Sequence, residues 1–137
     1  MPSEKIVFLD DSVDLRVLVS SMLKAKLGVE CLGCGSVAEL QANRIEVLKS
    51  KLVILDVNLG PNEPDGLDAF EWFRANGYTG KISFLTGHAR SHPRLAQLSK
   101  TGVPILEKPV KSEKLCEFVR QAYGPKDEEG HHEFSGY

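Results

Sequence analysis

Three short apolar runs in this 137-residue chain each end in a polar residue able to take part in catalysis or ligand binding. IVFLD at 6–10 ends in Asp10 with Asp11 next, LVILD at 52–56 ends in Asp56, and ISFLT at 82–86 ends in Thr86; a fourth segment, PILE at 104–107, runs into Lys108 and Pro109. Carboxylates gathered in one small cleft repel one another, and a bound cation relieves that cost. Magnesium takes oxygen ligands, keeps several waters and commonly uses one or two carboxylates, so Asp11 and Asp56 suit direct ligation and Asp10 suits holding a metal-bound water. An aspartate carboxylate is also a nucleophile toward phosphorus, giving an acyl phosphate. The ammonium of Lys108 and the hydroxyl of Thr86 would then stabilise charge on the transferring oxygens. Alone, an Asp after a strand more often caps the next helix. The functional reading rests on the coincidence of an acidic pair, a single Asp, a Thr and a Lys-Pro, all at the same end of alternate elements.

The apolar runs are too short for helices and rich in β-branched and aromatic residues. Being continuous rather than alternating, they read as strands covered on both faces. Weaker strands are expected at 29–33 and 104–107. Helical spacing is clearest over 13–27, where Leu15, Leu18, Val19, Met22 and Leu23 recur at three- and four-residue steps before Gly28 stops the helix. Ser36 and Glu39 form a capping box opening one helix through about Lys49. Further helices are expected at 67–75, 93–100 and from Ser112 through Phe118 and Ala122. Five β-α units joined by right-handed crossovers make a doubly wound α/β domain around a five-stranded parallel sheet. Ligands of such sheets bind outside the carboxyl ends of the strands, where the polar residues stand.

The length suits one domain, residues 1–123, followed by a polar tail at 124–137, GPKDEEGHHEFSGY, expected to be disordered. His131 and His132 in that tail read as solvated residues. A net charge of -2 gives no bulk reason to bind nucleic acid. No apolar run approaches the roughly eighteen residues of a membrane span, and no signal segment is seen, so a cytoplasmic, soluble protein is expected. Cys31, Cys34 and Cys116 make an odd set that argues against a disulfide framework. Cys31 and Cys34 do form a C-x-x-C, but in an apolar stretch rather than at a helix start, which disfavours redox or zinc chemistry.

With these pieces in place, the chain resembles the receiver domains of bacterial two-component signalling, the CheY-like family, over about residues 4–123. The resemblance is carried by FLDDS at 8–12, VILDVNL at 53–59, DG at 65–66, FLTG at 84–87 and LEKPV at 106–110. It implies a flavodoxin-like sheet of order 2-1-3-4-5 with five helices. It also implies Asp56 as phosphoacceptor, Asp10 and Asp11 as the metal-binding acidic pair, Thr86 as the switch hydroxyl and Lys108 as the phosphate-contacting ammonium. Mg2+ (or Mn2+) would be held by Asp10, Asp11, Asp56 and the backbone carbonyl of Asn58, and the Lys108–Pro109 peptide is expected to be cis. The implied partners are a histidine kinase or histidine phosphotransfer protein and an unknown downstream protein, with no direct nucleic-acid or membrane contact. The implied protein is a monomer or weak dimer that catalyses only its own phosphorylation and dephosphorylation.

The sequence departs from the family pattern at three places. NLGPNEPDG between Asp56 and Gly66 is about two residues longer than usual, Leu106 stands where many relatives carry an aromatic switch residue, and no output domain follows the last helix, which points to a stand-alone receiver. A degenerate receiver acting as a phosphorylation-independent interaction module is one alternative. A haloacid-dehalogenase-type phosphatase is the other, but its second acid two positions after the nucleophile is here Asn58, whose amide cannot shuttle a proton. His88 faces incoming water or phosphodonor on one reading and plain solvent on the other. Trp72 is expected to pack as core or partial surface.

Overall fold

The structure, a computed structural model, describes residues 5–59, 63–87 and 95–123. The continuous apolar runs do become buried strands: β1 (Ile6–Leu9) and β3 (Leu52–Asp56) are buried along their whole length, and β4 (Lys81–Thr86) along its last four residues. The weaker strands also form, as β2 (Cys31–Cys34) and β5 (Ile105–Glu107). β2 starts two residues later than expected. All five join one parallel sheet in the order β2-β1-β3-β4-β5.

α1 (Val13–Leu27) keeps the expected bounds. It stops at Gly28, where φ of +67° suits a residue without Cβ and the amide donates to the Lys24 carbonyl at 3.0 Å. Val19, Leu23 and Leu27 face the core, whereas Leu18, expected on the same stripe, is 63% exposed and lies with Val13 and Val17 on an open flank. The single helix expected from Ser36 is instead two short ones, α2 (Val37–Ala42) and α3 (Arg44–Leu48). Between them Asn43 leaves helical geometry and its side-chain amide donates to the Glu39 carbonyl at 2.9 Å, the local competition that makes Asn a poor helix-interior residue. Ser36 caps the Glu39 amide as expected, but the Glu39 carboxylate accepts from Gly35 rather than from Ser36. α4 (Gly66–Ala75), α5 (Leu95–Lys100) and α6 (Ser112–Tyr123) complete the chain, so the five helical positions hold six segments. The expected start of α5 at Pro93, and the tail from residue 124, lie outside the described residues.

Alternate residues of each strand feed opposite sides of the sheet. Val7, Leu9, Val53 and Leu55 pack with Leu40, Phe70, Phe73 and Phe84 on the α2–α4 side, while Ile6, Phe8 and Ile54 pack with Val19, Leu23, Leu115 and Val119 on the α1–α6 side. Trp72 is partly buried against the first of these clusters, edge-on to Phe73. The same alternation separates the C-x-x-C pair, Cys34 falling in the first cluster and Cys31 against the second. Burial pushes their thiols up to about 11 and about 12 respectively, so neither carries an accessible thiolate near neutral pH.

Candidate functional site

Parallel register brings the polar strand ends together. Leu9 pairs with Leu55, which sets Asp10 beside Asp56 one step further on, and Asp56 pairs with Leu85, one residue short of Thr86. Thr86 in turn pairs with Glu107, and its carbonyl accepts the Lys108 amide at 2.8 Å. The Lys108–Pro109 peptide is cis. Five residues from four chain segments thus share one edge of the sheet: Asp10, Asp56 and Thr86 are each 1% exposed, Asp11 is exposed, and the Lys108 side chain is 27% exposed.

Asp10 is held on every side. Its amide donates to Cys34 at 3.0 Å and its carbonyl accepts from Arg16 Nη1 at 2.7 Å. Its Oδ1 accepts from the Ser12 amide at 2.9 Å, and its Oδ2 accepts from Lys108 Nζ at 2.8 Å. The capping of α1 therefore falls to Ser12, whose hydroxyl accepts from Leu15, and both carboxylates of the acidic pair are left for other work. Ser12 and Arg16 were not among the residues singled out from the sequence. The S-x-x start of α1 signalled the first; nothing local signalled the second.

Asp56 differs from Asp10. The Asn58 amide donates to its Oδ1 at 3.3 Å, but Oδ2 is buried with no well-directed hydrogen bond, and the Lys108 ammonium stands 3.3 Å from it. Burial and the Asp10 charge push the Asp56 carboxyl up to about 7, against the pull of Lys108 and the Asn58 amide. Burial would lower the Lys108 ammonium, yet its hydrogen bond to Asp10 and the two carboxylate charges hold it above its ordinary value. Oxygens of Asp10, Asp11 and Asp56 all lie within 4.8 Å of one another. An all-oxygen set containing an unsatisfied carboxylate oxygen suits a hard divalent cation, and one lysine cannot neutralise three carboxylates.

The long loop is described at Asn58, Leu59 and from Glu63 onward, and Asp65 closes it by capping α4 through a reciprocal capping box with Asp68. His88 lies outside the described residues. Leu106, in place of an aromatic, is half-buried against the α1–α6 cluster.

The sequence profile of the response regulator receiver domain matches residues 6–120. The chain belongs to this receiver family. Among solved structures, the receiver domain protein (CheY-like) of Methanospirillum hungatei superposes with a TM-score of 0.75 at 21% identity, covering 93% of this chain and 99% of that one. The Vibrio cholerae chemotaxis protein CheY4 gives a TM-score of 0.72 at 25% identity, covering 88% and 98%. A curated relative, a protein-glutamate methylesterase/protein-glutamine glutaminase of a Nocardioides species, is 31% identical over 77 residues. That stretch is 56% of this chain and 20% of the relative, so the receiver shares only a small part of that protein's length. Among the described residues no helix is long and apolar enough to cross a membrane.

Proposed function

We propose that this receiver accepts a phosphoryl group on Asp56 and uses it to switch protein contacts. The observation that carries the reading is the buried Asp56 Oδ2, which lacks a directed hydrogen bond while facing Lys108 and two further carboxylates. Asp10, Asp11 and Asp56, with the Asn58 carbonyl, would hold Mg2+ or Mn2+; bound there, the cation neutralises the cluster and stabilises charge on the phosphoryl oxygens. An Asp56 oxygen attacks phosphorus as the donor's P–N or P–O bond breaks; a departing imidazole takes a proton from solvent, whereas acetate leaves as the anion. Lys108, fixed by Asp10 and 3.3 Å from Asp56, would contact the phosphoryl oxygens. The Thr86 hydroxyl supplies the switch, biasing the β4–α5 loop and the α5–β5–α6 surface between two populations. On this reading the protein is a cytoplasmic signalling module with no reaction beyond its own phosphorylation and hydrolysis.

Intact mass after incubation with acetyl phosphate tests this. The expected result is a Mg2+-dependent gain of one phosphoryl group that is absent in Asp56→Asn. No gain despite demonstrated metal binding would leave a receiver that works as an interaction module alone.

A histidine kinase or histidine phosphotransfer protein as donor would approach Asp56 past the N-terminal half of α1. There Val13, Val17 and Leu18 are 60%, 60% and 63% exposed. Leu18 also lines a groove of about 550 Å³ together with Leu15, Met22, Lys108, Pro109 and Val110. This flank suits an apolar helix face of the protein donor. Val17→Glu and Leu18→Glu are expected to slow transfer from the cognate protein donor by about tenfold or more, the scale of losing an apolar anchor. Uptake from acetyl phosphate should be unchanged, and equal slowing with both donors would count against docking here.

A further inference from the structure

Arg16 packs over the end of the neighbouring strand and bonds the turn that carries the acidic pair. From the first turns of α1 it lies across β2, where an added Cβ on Gly33 would sit 3.1 Å from its Cδ and one on Gly35 would sit 2.8 Å from its Nη1. Two glycines therefore leave the channel through which the guanidinium reaches the Asp10 carbonyl at 2.7 Å. That carbonyl belongs to the peptide joining Asp10 to Asp11, the two residues of the acidic pair. With the Asp10 amide already on Cys34, the Arg16 bond fixes the remaining polar group of the Asp10 backbone and so the direction in which both carboxylates leave the strand.

We infer that Arg16 is a positioning residue for the divalent cation, acting through the Asp10–Asp11 peptide rather than by touching metal or phosphate. The inference rests on the metal reading of the carboxylate cluster given above. It carries a sign that simple electrostatics opposes. Removing a positive charge near three carboxylates should by itself tighten cation binding; a positioning role demands that binding weaken.

Binding of Mn2+ to the full chain, read as loss of the free-ion signal by electron paramagnetic resonance, separates the two. Arg16→Met keeps much of the stem over Gly33 and removes the donor, while Gly35→Ala keeps the charge and displaces the guanidinium. Both are expected to raise the dissociation constant about tenfold, the scale of losing one charge-assisted hydrogen bond. Arg16→Lys, which can still donate, should recover part of it. Thermal unfolding of each variant without metal reports folding separately. Unchanged or tighter Mn2+ binding in folded Arg16→Met or in Gly35→Ala would overturn the inference. If the wild type itself binds no Mn2+, the metal reading falls first, a distinguishable outcome.

Discussion

In metal-free buffer above pH 7, Asp56→Asn is expected to be more stable than the wild type by roughly 2–4 kcal/mol, although it removes the proposed acceptor. Asp56 is almost wholly buried, and its carboxyl is pushed up to about 7 by burial and the Asp10 charge. In the unfolded chain it titrates near the ordinary carboxylate value of 3.8. Between those two values the folded protein keeps a proton that the unfolded chain has released, so raising the pH favours unfolding. Below about pH 4 both states are protonated and the difference vanishes; above about pH 7 it is fully developed. An asparagine has the same shape, can accept from the Asn58 amide and can donate toward Asp10, and it leaves the Lys108–Asp10 bond in place. Urea titrations of both proteins from pH 4 to 8 check this. The gap should open with pH and close when Mg2+ is added, because a ligand that binds the native wild type stabilises it by mass action. A gap that is flat with pH, or a less stable mutant, would show that Asp56 does not carry the cost of the cluster.

Gly66→Ala is expected to act at the same site from behind, costing about 2–3 kcal/mol, in the range of overpacked interiors. Gly66 opens α4, and its amide donates to the Val57 carbonyl at 3.2 Å. A Cβ there would stand 2.5 Å from the Asp56 carbonyl oxygen and 2.9 Å from the Val57 Cα. Both obstacles are backbone, so no rotamer change can relieve them. The start of α4 or the end of β3 has to move, and the end of β3 carries Asp56. Phosphoryl uptake should therefore fall on the order of tenfold to a hundredfold, as small misplacements of reacting groups do. Thermal unfolding and uptake rates from acetyl phosphate measure the two effects. A variant as stable as the wild type would mean that α4 slides freely on β3. The DG at 65–66 thus has two separate reasons: Asp65 caps the helix and Gly66 admits the strand beneath it.

The strands β1, β3 and β4, the helix α1 and its stop at Gly28 were readable along the chain because each depends on neighbouring residues: unbroken apolar runs, a three-to-four periodicity, and a residue that tolerates positive φ. The polar residues at the strand ends were readable for the same reason, and a parallel β-α repeat places such ends on one edge. Sequence patterning does not carry what depends on partners far away along the chain. The break at Asn43 is a different case, a local side-chain bond to the Glu39 carbonyl four residues back that competes with a helix whose periodicity runs straight through it. Leu18 fits the apolar stripe of α1 but stands exposed, since the stripe is wider than the surface that covers it. Lys108 meets Asp10 across 98 residues, Asp56 is pushed up to about 7 by burial and the Asp10 charge, and Arg16 reaches the acidic pair where Gly33 in β2 and Gly35 just after it leave room. Charge, burial and free space at one point are sums over segments that only folding brings together, so the kinds of residue at this site could be named from the chain, while their distances and ionisation came from the packed sheet.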